Sequence, residues 1–202
     1  MKLYHAAASP FVRKVQIALI ETGLIDQTEI VPSTATPLER AAGPIAQNPL
    51  GKIPALERDD GPALYDSRVI LQYLDAVAGG GLYPEGSAKW DIMTLEATAD
   101  GIMDAAVLAV YEARVRPEDM RSETWLSAQW GKIERALDAL EGRWMSHLEG
   151  PMNAGQIAVA CALGYLDFRH NGFDWRTSHP ALAAWYDGFS ARDSMTATAP
   201  KG

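Results

Sequence analysis

Three short stretches combine residue types that can act on an anion or a peptide group: Ser9-Pro10, Ile53-Pro54 and Asp66-Ser67. A serine ahead of a proline is a strong helix start. The hydroxyl accepts from an early N–H, and proline at the first helical position lacks only a donor that would go unpaired anyway. Asp66-Ser67 supplies a second start, with Ser67 read as the cap of a helix opening near Arg68. A helix start presents unpaired N–H groups and the positive end of the helix dipole, which suits an anion. Ile53-Pro54 puts a proline at the opening of a strand, where the missing donor is tolerable. On residue type alone, a structural role is the better reading of Ile53-Pro54 (an ordinary trans proline) and of Asp66-Ser67 (a plain cap), and it also explains Ser9 as a cap.

Other chemistries find little support. Cys161 is the single cysteine, set in the apolar run Ile157 to Leu163, and reads as a small buried hydrophobe. Without Cys-x-x-Cys there is no dithiol exchange. His5, His147, His170 and His179 are too widely spaced for a metal-ligand pattern, so no metal is expected. Gly79-Gly80-Gly81 lacks the lysine and strand context of a phosphate loop. The net charge of -8, with no run of bases, argues against nucleic acid as a partner. No window approaches the roughly 20 apolar residues of a membrane span, and the start Met1-Lys2-Leu3-Tyr4-His5 is unlike a signal peptide. A cytoplasmic location is the expectation.

The elements that must position these residues read as follows. Lys2 to His5 is a first strand, Ser9 to Thr22 a helix stopped near Gly23, and Glu29 to Val31 a second strand. Pro32 to Pro49 is broken and polar, and reads as loop plus a short helix. Ile53 to Glu57 and Ala63 to Tyr65 form a hairpin around Asp59-Asp60-Gly61. Val69, Ile70, Tyr73, Leu74 and Val77 recur at helical spacing up to the glycine run. Beyond it only helices are predicted: Trp90 to Arg116, Ser122 to Leu148, Ala154 to His170 and Pro180 to Arg192, then a frayed tail from Thr196. The order implies a small mixed sheet with helices packed on it, followed by an all-α part. The domains are placed at residues 1–78, a linker at 79–88, and a helical domain at 89–202.

This arrangement resembles the glutathione transferase family. Asn48-Pro49-Leu50-Gly51-Lys52-Ile53-Pro54-Ala55-Leu56 is similar to the family's Asn-Pro-x-Gly-x-x-Pro-x-Leu stretch, whose last proline follows a cis bond. Tyr65-Asp66-Ser67-Arg68-Val69-Ile70 is similar to its Glu/Asp-Ser-x-x-Ile segment. Ser9 to Val15 looks like the first-helix start of the serine-containing bacterial members, and Asp100 to Ala105 with Cys161 to Arg169 looks like the YibF-type branch. The fold so implied is a thioredoxin-like α/β N-terminal domain with a mixed four-stranded sheet, plus an all-α helical domain.

The resemblance implies a glutathione-binding transferase that stabilises the thiolate of glutathione for attack on a small electrophile, a detoxification chemistry needing no cofactor beyond glutathione as co-substrate. A free thiol is only a few per cent ionised at neutral pH, and the thiolate is the nucleophile. Ser9 is the candidate catalytic group, donating to sulfur at the positive end of the first helix, with Phe11 beside it. Tyr4 is a rival activator. Ile53 and Pro54 would offer a backbone edge to the cysteinyl unit, Lys52 would meet the glycyl carboxylate, and Ser67 and Asp66 would take the γ-glutamyl carboxylate and ammonium. Met103, Val107, Tyr111 and Arg114 are candidates to line a second-substrate pocket between the domains, although helix packing explains each as well. Asp100 and Asp104, one turn apart, could face the ligand or the dimer axis, with a solvated face as the default reading. Asn153 with Gln156 reads as a capping box. A homodimer is expected from the resemblance. The alternative function is a non-catalytic binding or interaction protein that keeps the fold.

Overall fold

The computed structural model describes residues 1–33, 38 and 43–201. Within the stretch from Pro32 to Pro49, where a short helix is expected, residues 34–37 and 39–42 lie outside the described residues, and residues 43–49 form turns and no helix. The chain forms two compact units, Met1–Lys89 together with Asp193–Gly202, and Trp90–Arg192.

The first unit is built on a four-stranded sheet in the order β2-β1-β3-β4. β1 (Lys2–His5) runs parallel to β2 (Glu29–Pro32), with Leu3 beside Ile30. The parallel pair requires a crossover, and α1 (Pro10–Glu21) supplies it. β3 (Ala55–Arg58) is antiparallel to β1 and forms a hairpin with β4 (Gly61–Leu64). β3 thus begins one residue after Pro54, which is left outside the ladder it cannot donate to. Leu3, Ala55 and Leu56 are fully buried, as are Val12, Val15 and Leu19 of α1 and Ile70, Leu71 and Leu74 of α2 (Ser67–Ala78). α2 stops at Gly79, whose φ of 90° is left-handed and suits a residue without Cβ. Asp75, buried near that end, accepts from the N–H groups of Leu82 and Tyr83 at 2.7 and 3.2 Å, fixing the chain as it leaves the helix.

The expectation of a frayed tail from Thr196 is corrected as far as Thr198, which is buried and donates to the Ser194 carbonyl at 2.7 Å; residues 199–201 form no helix or strand. α9 (Asp193–Ala197) packs on α1, with Met195 and Ser194 buried. Arg13, itself buried, donates from Nη2 to the Met195 carbonyl at 3.0 Å and from Nε to Thr198 Oγ1 at 3.4 Å. A buried guanidinium needs acceptors, and this segment provides them.

The second unit is helical. α3 (Ala88–Val115) enters it at Trp90. α4 (Glu123–Ala139) continues through a π-helical turn, Leu140–Trp144, into α5 (Met145–Leu148), so the helix expected there is present with one π turn inside it. Glu141, on that turn, accepts from the N–H groups of Ala181 and Leu182 at 3.0 and 2.7 Å. It thereby caps α8 (Pro180–Ser190), which follows the short α7 (Trp175–Ser178). α6 (Ala154–Arg169) is buried from Ala154 to Leu166, Cys161 included. The Asn153–Gln156 capping box is present, and Gln156 Nε2 also reaches the carbonyls of Leu148 and Gly150. A Cβ on Gly155 would stand 2.9 Å from Leu95 Cβ, so glycine is what lets α6 approach α3. Asp104 is exposed, but Asp100 is buried, which corrects its reading as part of a solvated face.

Candidate functional site

Strand register gathers the sequence-predicted residues of the first unit at one end of the sheet. Tyr4 of β1 lies opposite Ala55, so the end of β1 runs alongside Pro54. Leu56 pairs with Leu64, so Tyr65 and Asp66 leave β4 at that same end. α1 and α2 both begin there and pack on each other. Lys52, Ile53 and Pro54 therefore share a sheet end with Ser9, Phe11, Asp66 and Ser67.

Ser9 is the N-cap of α1: its Oγ accepts from the Val12 N–H at 3.3 Å, while its own N–H donates to the Ala6 carbonyl at 3.0 Å. The half-buried hydroxyl keeps a hydrogen for which the described residues offer no acceptor, so it can still donate to a ligand. Phe11 is half-buried beside it. Tyr4 is committed elsewhere. Its hydroxyl donates to Glu57 Oε2 at 3.1 Å, and burial together with the Glu57 carboxylate raises the phenol above its usual range. The rival activator is thus tied up across the sheet.

The loop before β3 is fixed by Asn48, which is buried. Asn48 Oδ1 accepts from the Leu50 N–H at 3.0 Å, and Nδ2 donates to the Lys52 carbonyl at 2.9 Å. Gly51 sits between them at φ 65°, a left-handed conformation that favours glycine. Ile53–Pro54 is cis, as the resemblance implies. Tyr65–Asp66 is also cis, which no sequence signal announced. Ile53 is half-buried, and its N–H and C=O have no backbone partner among the described residues. That leaves an edge able to pair with an extended ligand. Lys52 is exposed.

At α2 the structure moves the cap by one residue. Asp66, not Ser67, is the N-cap, accepting from the Arg68 N–H at 3.1 Å. Ser67 is the first helical residue and is buried. Two neighbouring residues can both cap, and the backbone φ and ψ of Asp66 decide between them. Arg68 also returns its side chain to Asp66, with Nη2 to Oδ2 at 2.7 Å and Nε to Oδ1 at 3.3 Å. Burial works to raise the Asp66 carboxyl, but the Arg68 hydrogen bonds, the Arg68 charge and that of Lys14 outweigh it, so it lies below its ordinary value. Lys14, fully buried on α1, was missed by sequence reasoning, because a lysine among apolar neighbours gives no sign of its burial.

The second-substrate candidates lie on α3, in the other unit. Met103 is fully buried, Val107 and Tyr111 are half-buried and Arg114 is exposed. At spacings of four, four and three they share one helical stripe. Tyr165 of α6, buried and not anticipated, senses Tyr111 and Arg114. Burial pushes its phenol up to about 12, against the pull of Arg169 and Arg114. No group of His, Cys, Asp and Glu among the described residues is arranged to hold a metal, and no described helix is long and apolar enough to cross a membrane.

Residues 8–77 match the family profile "Glutathione S-transferase, N-terminal domain", and residues 123–188 match "Glutathione S-transferase, C-terminal domain". This chain belongs to the glutathione S-transferase family. It is 36% identical over 204 residues to the uncharacterized GST-like protein YibF of Escherichia coli K12, covering 99% of this chain and 98% of that one. It is 30% identical to glutathione S-transferase 4 of Zea mays, over 98% of this chain and 92% of that one. A crystal structure of a glutathione transferase family member from Pseudomonas fluorescens Pf-5, with bound glutathione, superposes with a TM-score of 0.95 at 49% identity, covering 100% and 99% of the two chains. A second structure of a family member from that organism holds S-(propanoic acid)-glutathione; it has a TM-score of 0.92 at 49% identity and covers both chains fully. The family fixes the architecture of this chain: a thioredoxin-like sheet domain and a helical one.

Proposed function

We propose that this family member is a glutathione-binding transferase that stabilises the glutathione thiolate for attack on a small electrophile, with glutathione as co-substrate and no other cofactor. The observation that carries the reading is the convergence at one sheet end of a free hydroxyl hydrogen on a helix cap (Ser9), an unpaired backbone edge (Ile53) and a second helix start (Asp66, Ser67). The ligands named for the Pseudomonas structures, glutathione and an S-substituted glutathione, support it.

Each group has a role set by its chemistry. Ile53 pairs its N–H and C=O with the cysteinyl unit of the ligand. The thiol then meets the Ser9 hydroxyl at the N-terminus of α1, where hydrogen bonding and the helix dipole favour the anion. Ser9 donates to sulfur and does not itself attack. Phe11 and Pro54 flank the thiol, Lys52 takes the glycyl carboxylate, and the Ser67 N–H and hydroxyl take the γ-glutamyl carboxylate. The electrophile rests on the α3 stripe of Met103, Val107, Tyr111 and Arg114. The protein works in the cytoplasm as a homodimer; exposed Val69 and Val77, two turns apart on α2, are an apolar face suited to a partner subunit.

Calorimetric titration with glutathione, followed by turnover of chlorodinitrobenzene, tests the reading. Saturable binding with conjugate formation is expected. Binding without turnover on any electrophile would leave a non-catalytic binding protein in its place.

A further inference from the structure

Several arginines of this chain hold a carboxylate: Arg58 with Asp60, Arg116 with Glu112, and Arg176 with Asp167 and Asp187. Arg114 of α3 and Arg169 of α6 hold none among the described residues, although acidic side chains outnumber basic ones 26 to 18. His170 Nε2 reaches the Ala106 carbonyl at 3.0 Å, which sets the end of α6 beside the middle of α3. Tyr111 and Arg114 are three residues apart on α3, and Tyr165 and Arg169 four apart on α6, so each pair shares a helix face. The two faces meet. Tyr165 feels the charges of Arg169 and Arg114 and the Tyr111 phenol, and Arg169 also lends it a hydrogen bond. Arg169 stacks over the Phe168 ring at 4.1 Å, which steadies it without using its N–H groups. Glu134 borders a cavity with Arg169 but makes no ion pair with it. Burial holds the Tyr165 phenol at about 12, so it keeps its proton at neutral pH. The cluster thus offers two guanidinium forks and two phenol hydrogens, all donors, with no carboxylate paired to them.

We propose that the electrophile of this protein carries a carboxylate, bound by Arg114 and Arg169 with the hydroxyls of Tyr111 and Tyr165. The inference rests on the transferase function proposed above and names its substrate class: small anionic electrophiles in preference to neutral ones. A carboxylate matches a guanidinium fork in plane and charge, and a bound one also relieves the repulsion between two like charges. The chain as a whole, at a net charge of -8, works against an anion, so the attraction is local. For an aryl chloride the step balances without a further reactant. The glutathione sulfur forms a bond to the chlorine-bearing carbon, chloride leaves with its bonding pair, and the carboxylate stays intact.

The test compares para-chloro-meta-nitrobenzoate with its amide, which has the same reacting carbon and no charge. For each, kcat/KM with the full chain and glutathione is divided by the rate constant of the spontaneous reaction, and chlorodinitrobenzene serves as a neutral reference. In this enhancement the acid should exceed the amide by at least about tenfold. Arg114→Gln and Arg169→Gln should each lower the acid-to-amide ratio by about tenfold, mainly through KM for the acid, and Arg169→Lys should recover part of it. Both arginines lie in the last turn of a helix, where a cation is favoured in any case. A purely structural role would lower both substrates alike and leave the ratio unchanged, which overturns the inference. Turnover of the amide and of chlorodinitrobenzene, with a preference for the acid below about tenfold, sinks the inference alone. No turnover of any of the three sinks the proposed transferase function as well. Should a variant fail to fold, the ratio in the unmodified protein still decides.

Discussion

Asn48 holds the carbonyl of Lys52 from a buried position, 2.9 Å from its Nδ2, and with its other amide atom accepts the Leu50 N–H. One side chain thus ties both sides of Gly51 in the loop that presents Ile53, beside the backbone bond from the Gly51 N–H to the Asn48 carbonyl at 2.8 Å. Asn48→Ala leaves two backbone groups without their partner, at about 1–3 kcal/mol for each group that stays buried. The variant should melt at lower temperature and bind glutathione more weakly. Asn48→Asp keeps the acceptor but sets a carboxylate against the Lys52 carbonyl, so it should not rescue binding. Equal glutathione affinity in all three proteins would show that the loop holds itself.

Ser9 has two separable contributions. As N-cap it accepts from Val12, and Ser9→Ala should cost about 0.5–2 kcal/mol of stability. As donor to sulfur it should lower the pKa of bound glutathione, so the alanine variant should titrate the bound thiol at higher pH by thiolate absorbance. Ser9→Thr keeps both functions and should behave as the unmodified protein does. If the alanine variant loses stability but titrates the thiol at the same pH, Ser9 is a cap and nothing more.

Local signals made much of this legible. Pro10 and Gly79 bound their helices as steric rules require, and Asn153 with Gln156 forms the expected box. What escaped was decided at long range or by geometry. Whether Asp66 or Ser67 caps α2 depends on the backbone angles at one peptide. The burial of Arg13 and Lys14 depends on partners far along the chain or on another element. The π-helical turn at Leu140–Trp144 lies within a continuous helical pattern, so periodicity passes over it.

Removing residues 193–202 should destabilise the first unit. The deletion takes away Met195, whose burial is worth about 1.5–3 kcal/mol, and strips Arg13 of its acceptors at Met195 and Thr198. At about 2–4 °C per kcal/mol for a chain of this size, the melting temperature should fall by several degrees. Arg13→Met in the truncated chain should recover part of the loss, since the guanidinium then no longer needs partners. Identical melting curves for full-length and truncated chains would mean that α9 contributes nothing to α1.

His170 should make stability pH-dependent. Burial lowers its pKa below the ordinary 6.5, Arg169 adds to that, and the hydrogen bond to the Ala106 carbonyl opposes it. The ring donates from Nε2 to that carbonyl at 3.0 Å and meets Trp130 edge-on at a centroid distance of 4.8 Å. Because the folded pKa is the lower one, the unfolded chain binds the proton first as pH falls. Stability from neutral His170 is then complete above the ordinary value and is lost as pH drops through the folded one. His170→Gln keeps a donor for Ala106 without titrating, so its urea midpoint should vary less with pH across this window. Parallel curves for the two proteins would remove His170 as the source of the dependence.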